Sequence, residues 1–210
     1  MDEVKLNTWQ HIRKDIRYAG AGKVFVLSDF VDYGDYEAVK KALQKLCEEG
    51  IIRRALPGVY YRPAFSCILG QDVPPKTEAV AEAIARNNNW TIIPEGEKGL
   101  NMLGLSTQVP AHTVFITNGP SKKYEVGKQK FEFRHVQPKN IVGLSAKTAL
   151  VVEALKNLGE QNVDDSIVTR LQAIYTPEEK QKLLSETKKV TRWIRGKMAL
   201  VVQDKGMSNV

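Results

Sequence analysis

The stretch DYEAVKKALQKLCEEGIIRRALPGVYYRP, residues 35–63, changes its hydrophobic period once and abruptly. Up to Glu49, the apolar residues Val39, Leu43, Leu46 and Cys47 recur at i, i+4, i+7 and i+8, which is one face of a helix. After Gly50 the pattern becomes two short extended runs, IIRRA and GVYYR, joined through Leu56-Pro57-Gly58. Asp35 can cap the helix and Gly50 can stop it. A helix that runs straight into a tight hairpin leaves few folds open, and the residues before it narrow them further.

Trp9, Ile12, Ile16 and Ala19 predict an amphipathic helix over 7–19, ended by Gly20 and Gly22. VFVL at 24–27 predicts a brief strand, and Ser28 caps a single helical turn, SDFV. A turn at Asp32-Tyr33-Gly34 then leads into the helix at 35–49. Two helices joined by a glycine-containing turn make a helix-turn-helix, and the hairpin directly behind the second helix makes the winged variant.

Pro63, Gly70, Pro74 and Pro75 mark a seam. It predicts a winged-helix domain over 1–63, a linker over 64–76 and a second domain over 77–210. In the second domain a helix over 77–88, capped by Thr77, precedes strands at WTIIP, 114–116, YEV and FEFRHV, with turns at Asn118-Gly119 and Gly127. GLNMLGL predicts one or two helical turns. From Ser145 the chain reads as helical, with a stop at Gly159 and a strong start at Thr176-Pro177-Glu178-Glu179. A small sheet followed by a helical cluster is an α+β layout.

Charge sharpens the reading of the first domain. Residues 1–63 hold eleven bases and nine acids, so their total says nothing about nucleic acid. Within 40–62, however, Lys40, Lys41, Lys45, Arg53, Arg54 and Arg62 face only Glu48 and Glu49. With Val39, Leu43 and Leu46 turned inward, Tyr36, Glu37, Lys40, Lys41 and Gln44 lie on the outer side of the helix. Tyr36, Glu37, Lys40 and Gln44 suit base edges in a major groove: Lys reads guanine, Gln adenine, and Glu accepts from cytosine. Lys41 and Lys45 suit phosphate. Arg53, Arg54 and Arg62 suit the backbone or a minor groove, although strand alternation sends Arg53 and Arg54 to opposite sides. The expected partner is therefore double-stranded DNA. A winged helix that docks a protein with the same face is the rival.

Little points to catalysis. His11, His112 and His135 fall in separate elements, no phosphate-binding or nucleophile motif occurs, and no cofactor is expected. The loop PEGEKG offers Glu95, Glu97 and Lys98, with Glu132 as a distant fourth group, for a metal-dependent nuclease; an ordinary solvated loop is the simpler reading. Cys47 and Cys67 have no zinc-site spacing and read as reduced thiols. The N-terminus lacks a signal-peptide pattern, and no stretch is long and apolar enough to cross a bilayer, which predicts a soluble, cytoplasmic chain. A second basic set, Lys188, Lys189, Arg192, Arg195 and Lys197, predicts a cationic helix face for an acidic partner or nucleic acid.

YEAVKKALQKLCEEGIIRRALPGVYYRP, then TIIPEGEKGLNMLGLSTQVPAHTVFITNG, FEFRHV and GLSAKTALVVEAL resemble the AbiEi-type antitoxins of bacterial type IV toxin–antitoxin (abortive-infection) systems, in a short uncharacterised branch. The likeness spans nearly the whole chain, and the segment from Thr91 to Gly119 is its most specific part. It implies an N-terminal winged helix that binds operator repeats and represses its own operon. It also implies a C-terminal domain that counters a nucleotidyltransferase-type toxin, with or without a stable complex, and leaves room for a homodimer. The family's basic DNA-contacting surface maps onto Lys40, Lys41, Arg53, Arg54 and Arg62.

Overall fold

The computed structural model describes residues 7–108, 110, 112–137 and 143–203. The chain is of mixed α+β type and divides into two compact units, Met1–Trp90 with Tyr124–Lys130, and Thr91–Lys123 with Phe131–Val210. Among the described residues no helix is long and apolar enough to cross a membrane.

The first unit opens with α1 (Thr8–Tyr18), capped by a reciprocal pair in which Asn7 accepts from the Gln10 amide and Gln10 returns the contact to the Asn7 amide. Strand β1 (Val24–Val26) follows, and then a 3-10 stretch, Leu27–Tyr33, kinked at Phe30. Helix α2 (Tyr36–Glu48) is capped by Asp35, whose carboxylate accepts from the Ala38 amide at 2.7 Å. Strands β2 (Arg53–Leu56) and β3 (Val59–Tyr61) form the hairpin. Pro57 and Gly58 occupy its corner, and Gly58 has φ +77°, a left-handed backbone that glycine adopts without steric cost. The three strands form an antiparallel sheet in the order β1-β3-β2. Element order and sheet order are those of a winged helix.

Its core is made by the residues that periodicity marked: Ile12, Ile16, Val39, Leu43 and Leu46, closed by Phe25, Phe30, Ile52 and Tyr60. Gly34 is needed for a steric reason. A Cβ there would stand 2.7 Å from Thr8 Oγ1, the hydroxyl that donates to the Tyr33 carbonyl and ties α1 to the turn before α2.

The stretch read as a linker is ordered. Strands β4 (Ala64–Ser66) and β5 (Gln71–Val73) pair as a small antiparallel hairpin. Helix α3 (Thr77–Asn87), which the proline seam assigned to the second domain, packs against β1 and β3 through buried Val80, Ala81 and Ile84. Its Arg86 forks onto Asp29, with Nε–Oδ1 at 2.6 Å and Nη2–Oδ2 at 2.9 Å. Thr77 does not cap α3: the preceding residue, Lys76, is the cap position, and the Thr77 hydroxyl goes to Gln129 instead.

The second unit has β6 (Ile92–Pro94), α4 (Glu97–Met102), β7 (Thr113–Thr117) and the end of β9 (Gln129–His135). With β8 (Lys122–Val126) they make a sheet ordered β6-β7-β9-β8, in which β7 and β9 run parallel. Asn118-Gly119 therefore does not join neighbouring strands, and the Asn118 side chain accepts from the Thr91 amide. Phe115, Phe131 and Phe133 pack edge to face, with centroids 5.7–6.2 Å apart. Helices α5 (Ala146–Leu158), α6 (Asp165–Ile174), α7 (Pro177–Glu186) and α8 (Arg192–Val202) close the unit around Val151, Leu155, Leu171, Leu183, Ile194 and Met198.

Candidate nucleic-acid interface

Helix α2 is an uninterrupted thirteen-residue element with two distinct sides. Val39, Ala42, Leu43 and Leu46 are buried, whereas Tyr36, Glu37, Lys40, Lys41 and Gln44 are exposed. At about 100° per residue the exposed set spans the outer half of the helix.

The outward side chains hold one another only lightly. The Lys40 ammonium lies 5.7 Å from the Tyr36 ring centroid and 3.5 Å from Glu37 Oε1, and Gln44 donates to Glu48 Oε1 at 3.3 Å. Exposed pairs of this kind contribute about 0.2–1 kcal/mol each. A well-made contact to a base edge discriminates by about 1–3 kcal/mol. A duplex could therefore displace these contacts at small cost.

Strand register separates the two wing arginines. Arg54 stands opposite Tyr60, which is buried in the same core cluster as the inward face of α2, so both lie on the face of the hairpin that meets α2. Burial pushes the Tyr60 hydroxyl above its ordinary pKa, and Arg54 and Lys40 pull it back, so both cations act at the same point. The Cys47 thiol is likewise raised by burial and lowered by Arg54. Arg54 thus shares the Tyr60 side of the hairpin, on which Tyr36 and Lys40 of α2 also act, and has one weak contact of its own, to the Leu56 carbonyl at 3.4 Å.

Three cations of the expected set are placed otherwise. Arg53, on the opposite face of the wing, pairs with Asp72 of β5 at 2.5 Å. Arg62 donates to the carbonyls of Arg17 and Ala19 and so closes the C-terminal end of α1. Lys45 lies 4.3 Å from the Trp9 ring centroid, on the side of α2 that faces α1. Tyr36, Glu37, Lys40, Lys41 and Gln44 are all exposed on α2, and of these Tyr36 and Lys40 act on Tyr60 together with Arg54; Arg53, Arg62 and Lys45 have partners inside the fold.

A family model matches residues 11–183, described as Family of unknown function (DUF6088). The chain belongs to this family. No curated protein matches the chain. Among solved structures it is similar to the crystal structure of the RV2827C protein from Mycobacterium tuberculosis, at 11% identity, over 95% of this chain and 78% of that one, with a TM-score of 0.37.

Elsewhere in this DUF6088 member the expected groups are dispersed. Glu95 pairs with Arg134, Glu97 accepts from the Ser106 hydroxyl at 2.8 Å, and Glu132 lies 3.7 Å from His112 and 3.8 Å from Lys123. His11 stacks on Tyr33, and the His135 ring contacts the Gly119 carbonyl at 2.8 Å. Among the described residues no group of three His, Cys, Asp or Glu side chains is placed to hold a metal ion. Both cysteines are free thiols.

The second basic set does not form one helical face. Lys188 and Lys189 lie in a 3-10 turn, Thr187–Lys189, ended at Val190, and α8 begins only at Arg192. The Lys197 ammonium turns onto the Val163 carbonyl at 2.5 Å. Trp9 belongs to the apolar spacing that predicts α1. It is half-exposed, and both Arg13 and Lys45 lie over its ring; the signal was the spacing Trp9–Arg13, one helical turn.

Proposed function

We propose that the first unit is a sequence-specific DNA-binding winged helix, and that the chain acts as a transcriptional regulator of its own operon. The observation that carries this reading is the shared surface of Lys40 and Arg54, from helix and wing, with Tyr36, Glu37 and Gln44 around it. Helix α2 enters the major groove, where Lys40 and Gln44 read purine edges and Glu37 accepts from cytosine. Arg54 and Lys41 contact phosphate and fix the register. The antitoxin role, with a nucleotidyltransferase-type toxin as counterpart, rests on the resemblance to AbiEi-type proteins, chiefly over 91–119.

A gel-shift titration on the chain's own upstream region tests the DNA reading. Lys40→Ala is expected to relax sequence preference, and Arg54→Ala to weaken binding to every duplex alike. Wild-type binding by both variants rejects it.

A second reading, protein docking by the same unit, draws on the β4–β5 hairpin, which exposes Phe65 on its first strand and Ile68 and Leu69 at its tip. Co-purification with the product of a neighbouring toxin gene, lost in Ile68→Ser and indifferent to Lys40→Ala, would support it in place of DNA.

A further inference from the structure

An open recess of about 660 Å³ runs along α8 in the second unit. Arg192, Gly196 and Leu200 recur at i, i+4 and i+8, with Trp193 and Lys197 beside them, and Glu160 faces this stripe from a 3-10 turn, Glu160–Asn162. Gly196 is the residue that the fold leaves unexplained. It sits inside an eleven-residue helix, where glycine is less favourable than alanine. Its backbone is helical, it is exposed, and a Cβ would meet nothing within 4 Å. Gly34 and Gly99 differ: a Cβ there would run into Thr8 Oγ1 at 2.7 Å or the Pro94 carbonyl at 3.0 Å. The folded chain gains nothing from the missing side chain at 196, whereas a ligand lying on the helix backbone would.

The walls indicate the chemistry of that ligand. Arg192 is exposed and has no hydrogen bond or ion pair among the described residues. Lys197 spends one of its three donors on Val163 and keeps two. Trp193 and Leu200 supply an aromatic and an aliphatic surface, both partly open. Exposed Lys188, Lys189 and Arg195 add positive potential nearby. Glu160 is exposed and unpaired among the described residues, and its carboxylate can accept from a hydroxyl. Cations, a carboxylate and a ring surface in one recess complement phosphate, sugar hydroxyl and base.

We propose that this recess binds a nucleotide, with phosphate at Arg192 and Lys197, a sugar hydroxyl at Glu160, and the base on Trp193 over Gly196. The same chemistry is presented by a free nucleotide and by a single strand of RNA. The proposal is independent of the winged helix.

Isothermal titration of the full chain with ATP, a short oligoadenylate, inorganic triphosphate and polyglutamate tests it. Saturable binding of ATP or oligoadenylate is expected, ATP alone marking a free nucleotide and oligoadenylate alone a strand. Arg192→Ala should weaken it by about tenfold or more. Gly196→Ala should weaken it similarly while raising the melting temperature by about 1–3 °C, so that affinity and stability move in opposite directions. The proposal is overturned if neither adenine probe saturates, if triphosphate or polyglutamate binds as tightly as they do, or if either variant binds like the wild type.

Discussion

Helices α2 and α8 carry three cations each, in different surroundings. On α2, Lys40 and Lys41 share the outer face with Glu37, Gln44 and Glu48, and Lys45 is drawn aside by Trp9. Around α8, from Thr187 to Gln203, there is no acidic residue in the sequence. A face of mixed sign gains little from phosphate charge alone, and its value lies in telling one base edge from another. A stretch whose own charges are all positive, met only by Glu160 from another turn, holds an anion largely by charge. Cation count alone therefore does not distinguish reading from holding; the neighbouring acids and the backbone that spaces them do.

The largest expected effect tests that distinction directly. Lys40→Ala combined with Arg54→Ala should lower affinity for the proposed operator duplex by about 100-fold, as the loss of a base-edge contact of about 1–3 kcal/mol together with a phosphate contact implies. Arg192→Ala combined with Arg195→Ala should leave it within about threefold. Anisotropy titrations showing the reverse order would break the comparison. Arg62→Ala tests whether that guanidinium belongs to the fold. Losing its bonds to two helix-end carbonyls should cost about 2–3 kcal/mol in urea unfolding, with operator affinity of the folded protein unchanged.

In the second unit, burial pushes the Tyr175 hydroxyl up to about 12, against about 10 in the unfolded chain. The folded state therefore keeps a proton that the unfolded state loses. Stability is unaffected below pH 10 and declines as pH rises toward 12, by on the order of 2 kcal/mol. Tyr175→Phe should flatten that part of an alkaline melting series. Gly34→Ala should cost about 1–2 kcal/mol by forcing Thr8 away, read as a lower urea midpoint. The smallest effect is expected at Arg53 and Lys45, whose alanine variants should lose under about 1 kcal/mol and bind the operator within about threefold of wild type.

The winged helix was legible because its signals are local. Asp35, Gly50 and the Leu56-Pro57-Gly58 corner each act within a few residues of the element they end, and Val39, Leu43 and Leu46 fall inward by period alone. The parallel pairing of β7 with β9 was not legible, because Asn118-Gly119 looks like a hairpin turn and only long-range packing inserts β9 between β7 and β8. In the candidate site, which residues lie on the outer half of α2 followed from spacing. The diversion of Arg53, Arg62 and Lys45 did not, because their partners Asp72, Arg17, Ala19 and Trp9 are distant in sequence or lie on another helix. The break between Lys189 and Arg192 was also hidden, since Val190 continues an apolar pattern that the backbone does not follow.

Asp29 accepts from the Val26 amide at 2.9 Å and receives the fork of Arg86 from α3. Cutting the polypeptide after Pro63 would discard that arginine and lay bare the apolar surfaces of β1 and β3 that Val80 and Ile84 cover, each worth about 1.5–3 kcal/mol when shielded from water. The shortest self-standing piece of this region thus has to carry α3 with it, and any excised fragment that stops at the proline-rich bend should be prone to clump.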